Sequence, residues 1–304
     1  MSTPRRPRRL LTDTLERLGR SAWPTTTPLA DVDPARIAVV TVSYNTLELT
    51  AHLLFTIHRV LPVGAVAEVV VVDNGSTDGS AEFLTALDRA GLVRLVRNSR
   101  FPYHGPGLNR GISDLARRQR GRPEPVNLIW VVDSDVVLLA SDALERMSHV
   151  LRADHAAIVG PEQPYEQSRP KMSAYVHPAS LLMDPARVWR HRVPAFLEDG
   201  APGVMMQHVL RRRGEQIIDV PAFAEGSVLH LGSGTLRSLL DGERSENRYF
   251  DWAQGHREHH FHGRGDGAAL YERFLVDFDR LVPSFEPGRF IEACRIDERL
   301  SWHP

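Results

Sequence analysis

The sequence predicts an α/β fold: a twisted, mostly parallel sheet flanked by helices, then a mixed region and C-terminal helices. Two observations predict it. Runs that are apolar throughout (IAVVTV, VVVV and LIWVV) alternate with segments whose apolar residues recur at helical spacing. Strands without a polar face belong in a sheet covered on both sides, which is the setting of parallel strands joined by helical crossovers. The crossovers are expected to be right-handed. A length of 304 residues suits one large domain, or one domain with additions.

Residues 1–35 carry Pro24, Pro28, Pro34 and the run TTT at 25–27, and predict a basic tail and linker. Leu10, Leu11, Leu15 and Leu18 there give one apolar face of a short helix, which suits peripheral membrane or partner contact. The first strand is expected at 37–42. Leu49, Leu53, Leu54, Ile57 and Leu61 then mark a helix. A second strand at 69–72 leads to a helix at 81–90, and a third at 92–96 to a helix at 107–118. A fourth strand at 128–132 precedes a helix at 141–151. Beyond about residue 160 the alternation weakens. Strands are expected at 171–177, 181–183 and 216–220, with helices at 204–213 and 268–281. This organisation predicts a tail at 1–35, a ligand-binding half at 36–160, an acceptor-side half at 161–245 and a C-terminal extension at 246–304.

Composition removes several classes of function. The 37 Lys+Arg against 38 Asp+Glu argue against a nucleic-acid binder that works by bulk positive charge. Lys171 is the only lysine and follows no GxxxxG, so there is no P-loop. A single cysteine, Cys294, excludes an intramolecular disulfide framework and a multi-thiolate zinc site, and fits a reducing, cytoplasmic setting. No apolar run reaches the length of a membrane span.

The chemistry concentrates at strand ends. The first strand closes on Ser43, Tyr44 and Asn45, the second on Asp73 and Asn74 within DNGSTDGS, and the fourth on Asp133, Ser134 and Asp135. In an open parallel sheet, ligands bind outside the carboxyl ends of the strands, so these groups are expected along one edge. Asp133 and Asp135 are two apart and in extended chain project the same way. Two such carboxylates call for a cation, and a hard divalent ion such as Mg²⁺ or Mn²⁺ on diphosphate oxygens meets that need. DNGSTDGS is not a calcium loop of the EF-hand type, because Gly75, Thr77 and Asp78 stand where ligands and a glycine are required.

With VSYN at 42–45, VVDNGSTDGS at 71–80, Asn98, the GxGxNxGI run at 105–112 and DSD at 133–135, the chain resembles the inverting, GT-A-fold glycosyltransferases of the family 2 type over roughly residues 37–235. That resemblance implies a GT-A-like (Rossmann-like) sheet and a nucleoside-diphosphate sugar as donor. It implies that Ser43, Tyr44, Asn45, Asp73 and Asn74 line the nucleotide. Asp133 and Ser134 would face the ribose or diphosphate, Asp135 would hold the metal, and Gly107 and Asn109 would lie near the nucleotide or sugar. It further implies that Asp199, with Glu198 in reserve, is the general base for an acceptor hydroxyl. The late histidine turn HLGSGT would bring His230 to the metal or diphosphate. Adjacent carboxylates at 198–199 cannot flank a scissile bond as glycosidase acids do.

Two other readings stand beside this one. A nucleotidyltransferase uses a similar sheet and carboxylate-bound metal, but commonly with a lysine on the attacked phosphate. A degenerate nucleotide- or sugar-binding module would not need the aspartates. His256, His259, His260 and His262 lie in a glycine-rich loop without cysteine partners, and HREHH lacks the HExxH spacing. His104, beside Gly105, is either a site residue or a loop histidine.

Overall fold

A computed structural model describes residues 36–98, 103–164, 174–191, 193, 196–197, 203–232 and 265–302. The basic tail, Lys171, Glu198, Asp199, Ser233, Thr235, Trp252 and the histidines at 256–262 lie outside these residues.

The first part of the chain runs β1 (Ile37–Ser43), α1 (Leu47–Val60), β2 (Val66–Asp73), α2 (Ser80–Arg89), β3 (Arg94–Arg97), α3 (His104–Gln119), β4 (Leu128–Val132), β5 (Val136–Leu138) and α4 (Asp142–Ala153). It continues through β6 (Ile158–Gly160), β7 (Glu162–Pro164), β8 (Ala174–Val176), β9 (Ser180–Met183), α5 (Pro185–Arg190), α6 (Val204–Arg212), β10 (Ile217–Asp219) and β11 (Val228–His230). The helices α7 (Gly267–Leu281) and α8 (Pro287–Cys294) follow.

The main sheet has seven strands in the order β10-β6-β9-β4-β1-β2-β3. β1 pairs in parallel with β2 and β4, β2 with β3, and β10 with β6. Only β9 runs against its neighbours, β4 and β6. The α/β reading and its mostly parallel sheet therefore hold, and strands from both sides of residue 160 share that sheet. Two small antiparallel pairs stand beside it, β11 with β5 and β7 with β8.

The side chains of β1, β2 and β4 alternate between two apolar layers. Val39, Val71 and Trp130 face one layer with α1, α2, α7 and α8, while Val40, Val70, Val72 and Val131 face the other with α3. This double coverage is why the strands carry no polar face. Trp130 is fully buried, and its indole N–H donates to Ser180 Oγ (3.2 Å) across the β4–β9 pair. α3 lies close on the sheet because position 111 is glycine: a Cβ there would come within 2.9 Å of Val72 and Val40. The C-terminal helices are fixed by a buried cation. Arg59 of α1 donates to the carbonyls of Ala293 (2.7 Å) and Glu298 (3.2 Å). The lone thiol, Cys294, is buried beside it, and burial pushes its pKa up to about 12, so it is no nucleophile.

Several boundaries differ from the sequence-based expectation. α3 starts at His104 rather than 107. Gly105 and Pro106 fall in its first turn, where a proline removes only an N–H that has no helical partner. Asp133 to Asp135 lie in a turn between β4 and β5 and not in extended chain. The short elements β5, β6, β7, β11, α5 and α8 carry too few residues for a period to be legible. Among the described residues no helix is long and apolar enough to cross a membrane.

Candidate metal and nucleotide site

The ends of β4, β1 and β2 are neighbours at one edge of the sheet, and β1 and β2 finish level, with Ser43 opposite Asp73. Beyond β1 the chain turns through Asn45 in the left-handed region (φ 50°). Asn45 is locked to the loop after β2. Its N–H donates to Ser76 Oγ (3.0 Å), and its carbonyl Oδ1 accepts from Thr77 N (2.7 Å). Asp78 accepts from Leu47 N (2.9 Å) and Ser80 N (3.0 Å), so one carboxylate caps the starts of both α1 and α2. The polar run DNGSTDGS is thus a folded loop whose geometry is set by capping.

The sequence-predicted residues at this edge divide by what their side chains touch. Ser43 is buried, and its hydroxyl is bonded to Thr46 (3.3 Å) and Thr50 (3.0 Å) beneath the edge. Tyr44 is half-buried at the edge itself. Asp73 is buried, and its Oδ1 accepts from Ser76 N (3.1 Å). Asn74 accepts from Asn98 Nδ2 (2.7 Å) and donates to Tyr103 O (3.1 Å), tying β2 to the start of α3. Gly107 faces Val42 and Asn74 so closely that a Cβ would sit 3.0 Å from Val42. Ser134 is buried with its hydroxyl 3.4 Å from Thr46. Asn109 turns its carboxamide onto the backbone of Phe196 instead, donating to Phe196 O (2.8 Å) and accepting from Phe196 N (3.1 Å).

At the β4–β5 turn the two aspartates meet a histidine that is distant in sequence. β11 pairs antiparallel with β5, with His230 opposite Val136, and Leu231 N donates to Asp135 O (3.0 Å). That pairing puts His230 Nε2 3.3 Å from Asp135 Oδ1 and 3.9 Å from Asp133 Oδ2. One ligand atom each from Asp133, Asp135 and His230 lie within 4.8 Å of one another. Two carboxylates and an imidazole, all largely buried, form a donor set suited to a divalent cation that accepts both oxygen and nitrogen.

Two further histidines border this cluster. His104, the first residue of α3, has Nε2 3.2 Å from Asp133 Oδ1. The ring of His177, just after β8, lies 5.3 Å from that of His230. His177 Nδ1 accepts from Ala179 N (3.1 Å), which fixes its ring and leaves the proton on Nε2 in the neutral form. Phe223 also stacks on His230, at 5.8 Å. Sequence reasoning did not single out His177, because one histidine in YVHP carries no pattern; only the β8–β9 turn brings it here.

Electrostatics follow from this packing. Burial pushes the His230 pKa down, but the Asp135 and Asp133 carboxylates outweigh it and hold the imidazole above its ordinary value. Burial likewise pushes Asp133 up, and His104 outweighs that, holding the carboxyl below the usual range. A proton on His230 therefore persists to higher pH than on a free imidazole. A metal must displace it. Mn²⁺ affinity is expected to rise with pH, by about tenfold per unit below the raised His230 pKa. Without metal, His230's contribution to stability is full below its unfolded value and is lost as pH rises through its folded one. Titration calorimetry in buffers of different ionisation enthalpy checks this. A Mn²⁺ affinity independent of pH from 6 to 8 would remove His230 from the ligand set.

A family model for glycosyl transferase family 2 matches residues 38–209, more than half of the chain. None of the curated proteins matches it in sequence. Among solved structures, the chain is similar to the mannosyltransferase PcManGT from Pyrobaculum calidifontis, solved in complex with GDP-Man and Mn²⁺. The identity there is 16%, over 94% of this chain and 92% of that one, with a TM-score of 0.49. TarS 1-349 of S. aureus is similar at 15% identity, over 86% and 81% of the two chains, with a TM-score of 0.43. Glucosyl-3-phosphoglycerate synthase from Mycobacterium tuberculosis is similar at 16% identity, over 72% and 75%, with a TM-score of 0.44.

Proposed function

The chain belongs to glycosyl transferase family 2, and from that premise we propose that it moves a sugar from a nucleoside-diphosphate donor to an acceptor hydroxyl, with inversion and with a divalent metal. The observation that carries this reading is the convergence of Asp133, Asp135 and His230 at the edge where β1, β2 and β4 end. The competing nucleotidyltransferase reading has no such footing in the family.

Asp135, Asp133 and His230 would hold the ion, Mg²⁺ or Mn²⁺. The imidazole favours Mn²⁺, because Mg²⁺ takes oxygen ligands almost exclusively. When bound, the ion supplies positive charge for the diphosphate oxygens. The near-neutral, lysine-poor composition is then no obstacle to phosphate chemistry. Asp73 accepts from the nucleotide base through the oxygen that Ser76 does not use, and Tyr44 and Asn45 flank the base. Asn74 and Gly107 shape the floor, where the absence of a side chain at 107 admits a ligand near the backbone. Ser134 braces the turn between the aspartates. α3 begins at His104, beside Asp133, and the partial positive charge of a helix N-terminus there would favour the anionic diphosphate.

On the acceptor side, Asp199 takes the proton of the attacking hydroxyl and Glu198 is the reserve. The acceptor oxygen bonds to the anomeric carbon as the bond to the diphosphate oxygen breaks, and the nucleoside diphosphate leaves with the electron pair. Attack from the opposite face inverts the configuration. The half at 36–160 would serve the donor and the half at 161–245 the acceptor. A thermal-shift panel of UDP, GDP, dTDP and ADP, each with and without Mn²⁺, tests the donor class. One nucleotide is expected to stabilise only with metal, and no response to any of the four overturns the reading. Proton NMR of the product tests inversion, and a retained anomer refutes it.

A further inference from the structure

Thr46 occupies the N-cap position of α1, yet its side chain caps nothing there. A threonine in that place ordinarily accepts from an N–H of the first helical turn. Here Asp78, from the loop after β2, takes Leu47 N (2.9 Å) instead. The Thr46 hydroxyl is buried and donates to Ser134 Oγ (3.4 Å). It also lies 3.3 Å from Ser43 Oγ and 3.1 Å from Thr50 Oγ1, which are 3.0 Å from each other. A hydroxyl has one proton, so with that proton directed at Ser134 the Thr46 oxygen accepts from Ser43 or Thr50.

Ser134 stands between Asp133 and Asp135 in the turn from β4 to β5, and its contact completes a set of three. Asp133 N donates to Ala179 O (3.4 Å), just before β9. Asp135 O accepts from Leu231 N (3.0 Å), just after β11. Each residue of the turn is thus tied to a different part of the chain. The ties at 133 and 135 are backbone contacts, which any sequence can make. The tie at 134 needs a hydroxyl at both ends, and both are present. Because the two aspartates flank Ser134, a shift of the turn there moves both carboxylates relative to His230, which is carried on β11.

We propose that Thr46 is a positioning residue for the metal site: its hydroxyl holds Ser134, and so sets the turn on which Asp133 and Asp135 reach His230. This rests on the reading of those three residues as the metal's ligands. Thr46 acts through Ser134, without touching the ion. The same hydroxyls join the turn to Ser43, which is opposite Asp73 in the β1–β2 register. The metal turn and the edge proposed for the nucleotide then share one buried support.

The test uses the full chain with Thr46→Val, Thr46→Ser, Ser134→Ala and the double variant of Thr46→Val with Ser134→Ala, and its probe is Mn²⁺ alone. Valine keeps the shape of threonine, removes no cap, and leaves Ser43 and Thr50 bonded to each other, so the fold is expected to persist. Mn²⁺ affinity by titration calorimetry should fall about tenfold or more in Thr46→Val, the range seen when a group that orients metal ligands is lost. Thr46→Ser should recover most of it. Ser134→Ala should match Thr46→Val, and the double variant should lose no more than either, because both changes break the same contact. In the metal-free chain, hydrogen exchange of the peptide 132–138 should rise about fivefold or more in Thr46→Val, with that of 68–73 on β2 unchanged. Losses that add in the double variant would mean that the two hydroxyls act separately, and would overturn the proposal. A rise in exchange in both peptides would make Thr46 a residue of the fold at large and overturn it too. If Thr46→Val does not fold, Ser134→Ala breaks the same contact from its other end and carries both readouts. A wild type that binds no Mn²⁺ brings down the metal reading and the proposal with it. A wild type that binds Mn²⁺ no better than Thr46→Val brings down the proposal alone.

Discussion

Asp135→Asn is expected to eliminate the Mn²⁺-dependent part of nucleoside-diphosphate stabilisation and to lower turnover by about 10²–10³-fold, the usual cost of removing one preorganised charge-stabilising group. Asp135 is the buried carboxylate nearest His230, at 3.3 Å, whereas Asp133 is shared with His104. Losing Asp135 leaves one divided carboxylate and one imidazole, too little charge to draw a divalent ion from water. The asparagine keeps the volume and the turn, so the fold persists. With ligand at about 100 times its Kd, the wild type gains about 2.7 kcal/mol, and the variant should gain only what the nucleotide gives without metal. His230, deprived of its main anionic partner, should also titrate lower in the metal-free variant. A Mn²⁺-dependent shift as large in Asp135→Asn as in the wild type would remove this residue from the metal site.

Asp199→Asn is expected to lower kcat by about 10²–10⁴-fold, the range general-base catalysis supplies, and to leave the metal-dependent diphosphate shift intact. A sugar hydroxyl is a weak nucleophile until a carboxylate takes its proton, while the groups proposed to bind the donor lie on other elements. Asp199 and Glu198 follow directly on Leu197, whose backbone is packed on Gly105 beside the Asp133 site. Glu198→Gln is expected to cost far less. If the larger loss falls on Glu198→Gln, the base is Glu198; if neither variant loses turnover, this pair does not deprotonate the acceptor. Steady-state kcat and KM on both variants make the distinction.

Much of the fold was legible because double burial writes itself into composition. IAVVTV, VVVV and LIWVV have no polar face, and each becomes a central strand between two apolar layers. The antiparallel run of β9 was not legible: Leu181, Leu182 and Met183 would look the same in either direction, and the direction follows from the turn at His177 to Ser180. Helix starts were blurred where glycine and proline fall in a first turn, as at Gly105 and Pro106.

The site divides along the same line. Asp73, Asp133 and Asp135 stand out in sequence because charged residues directly after apolar strands must sit at a sheet edge. The reason given for the two aspartates, an extended chain, was not the operative one. They converge from a turn, and they form a group with a geometry that could hold a cation because β11 adds to β5 and carries His230 across from Val136. The same limit applies to Asn109. Its place in GxGxNxGI signals a ligand-facing helix start, and only the packed chain shows its amide bonded to Phe196.

By itself, then, the sequence determined the layered α/β sheet and which edge bears the carboxylates, because burial and strand ends are local properties of the chain. The tertiary structure decided which distant groups complete that edge: His230, His104, His177 and the Asn109–Phe196 contact. Each depends on a short pairing or a single close contact between segments far apart in sequence, and such contacts impose no period on the residues that make them.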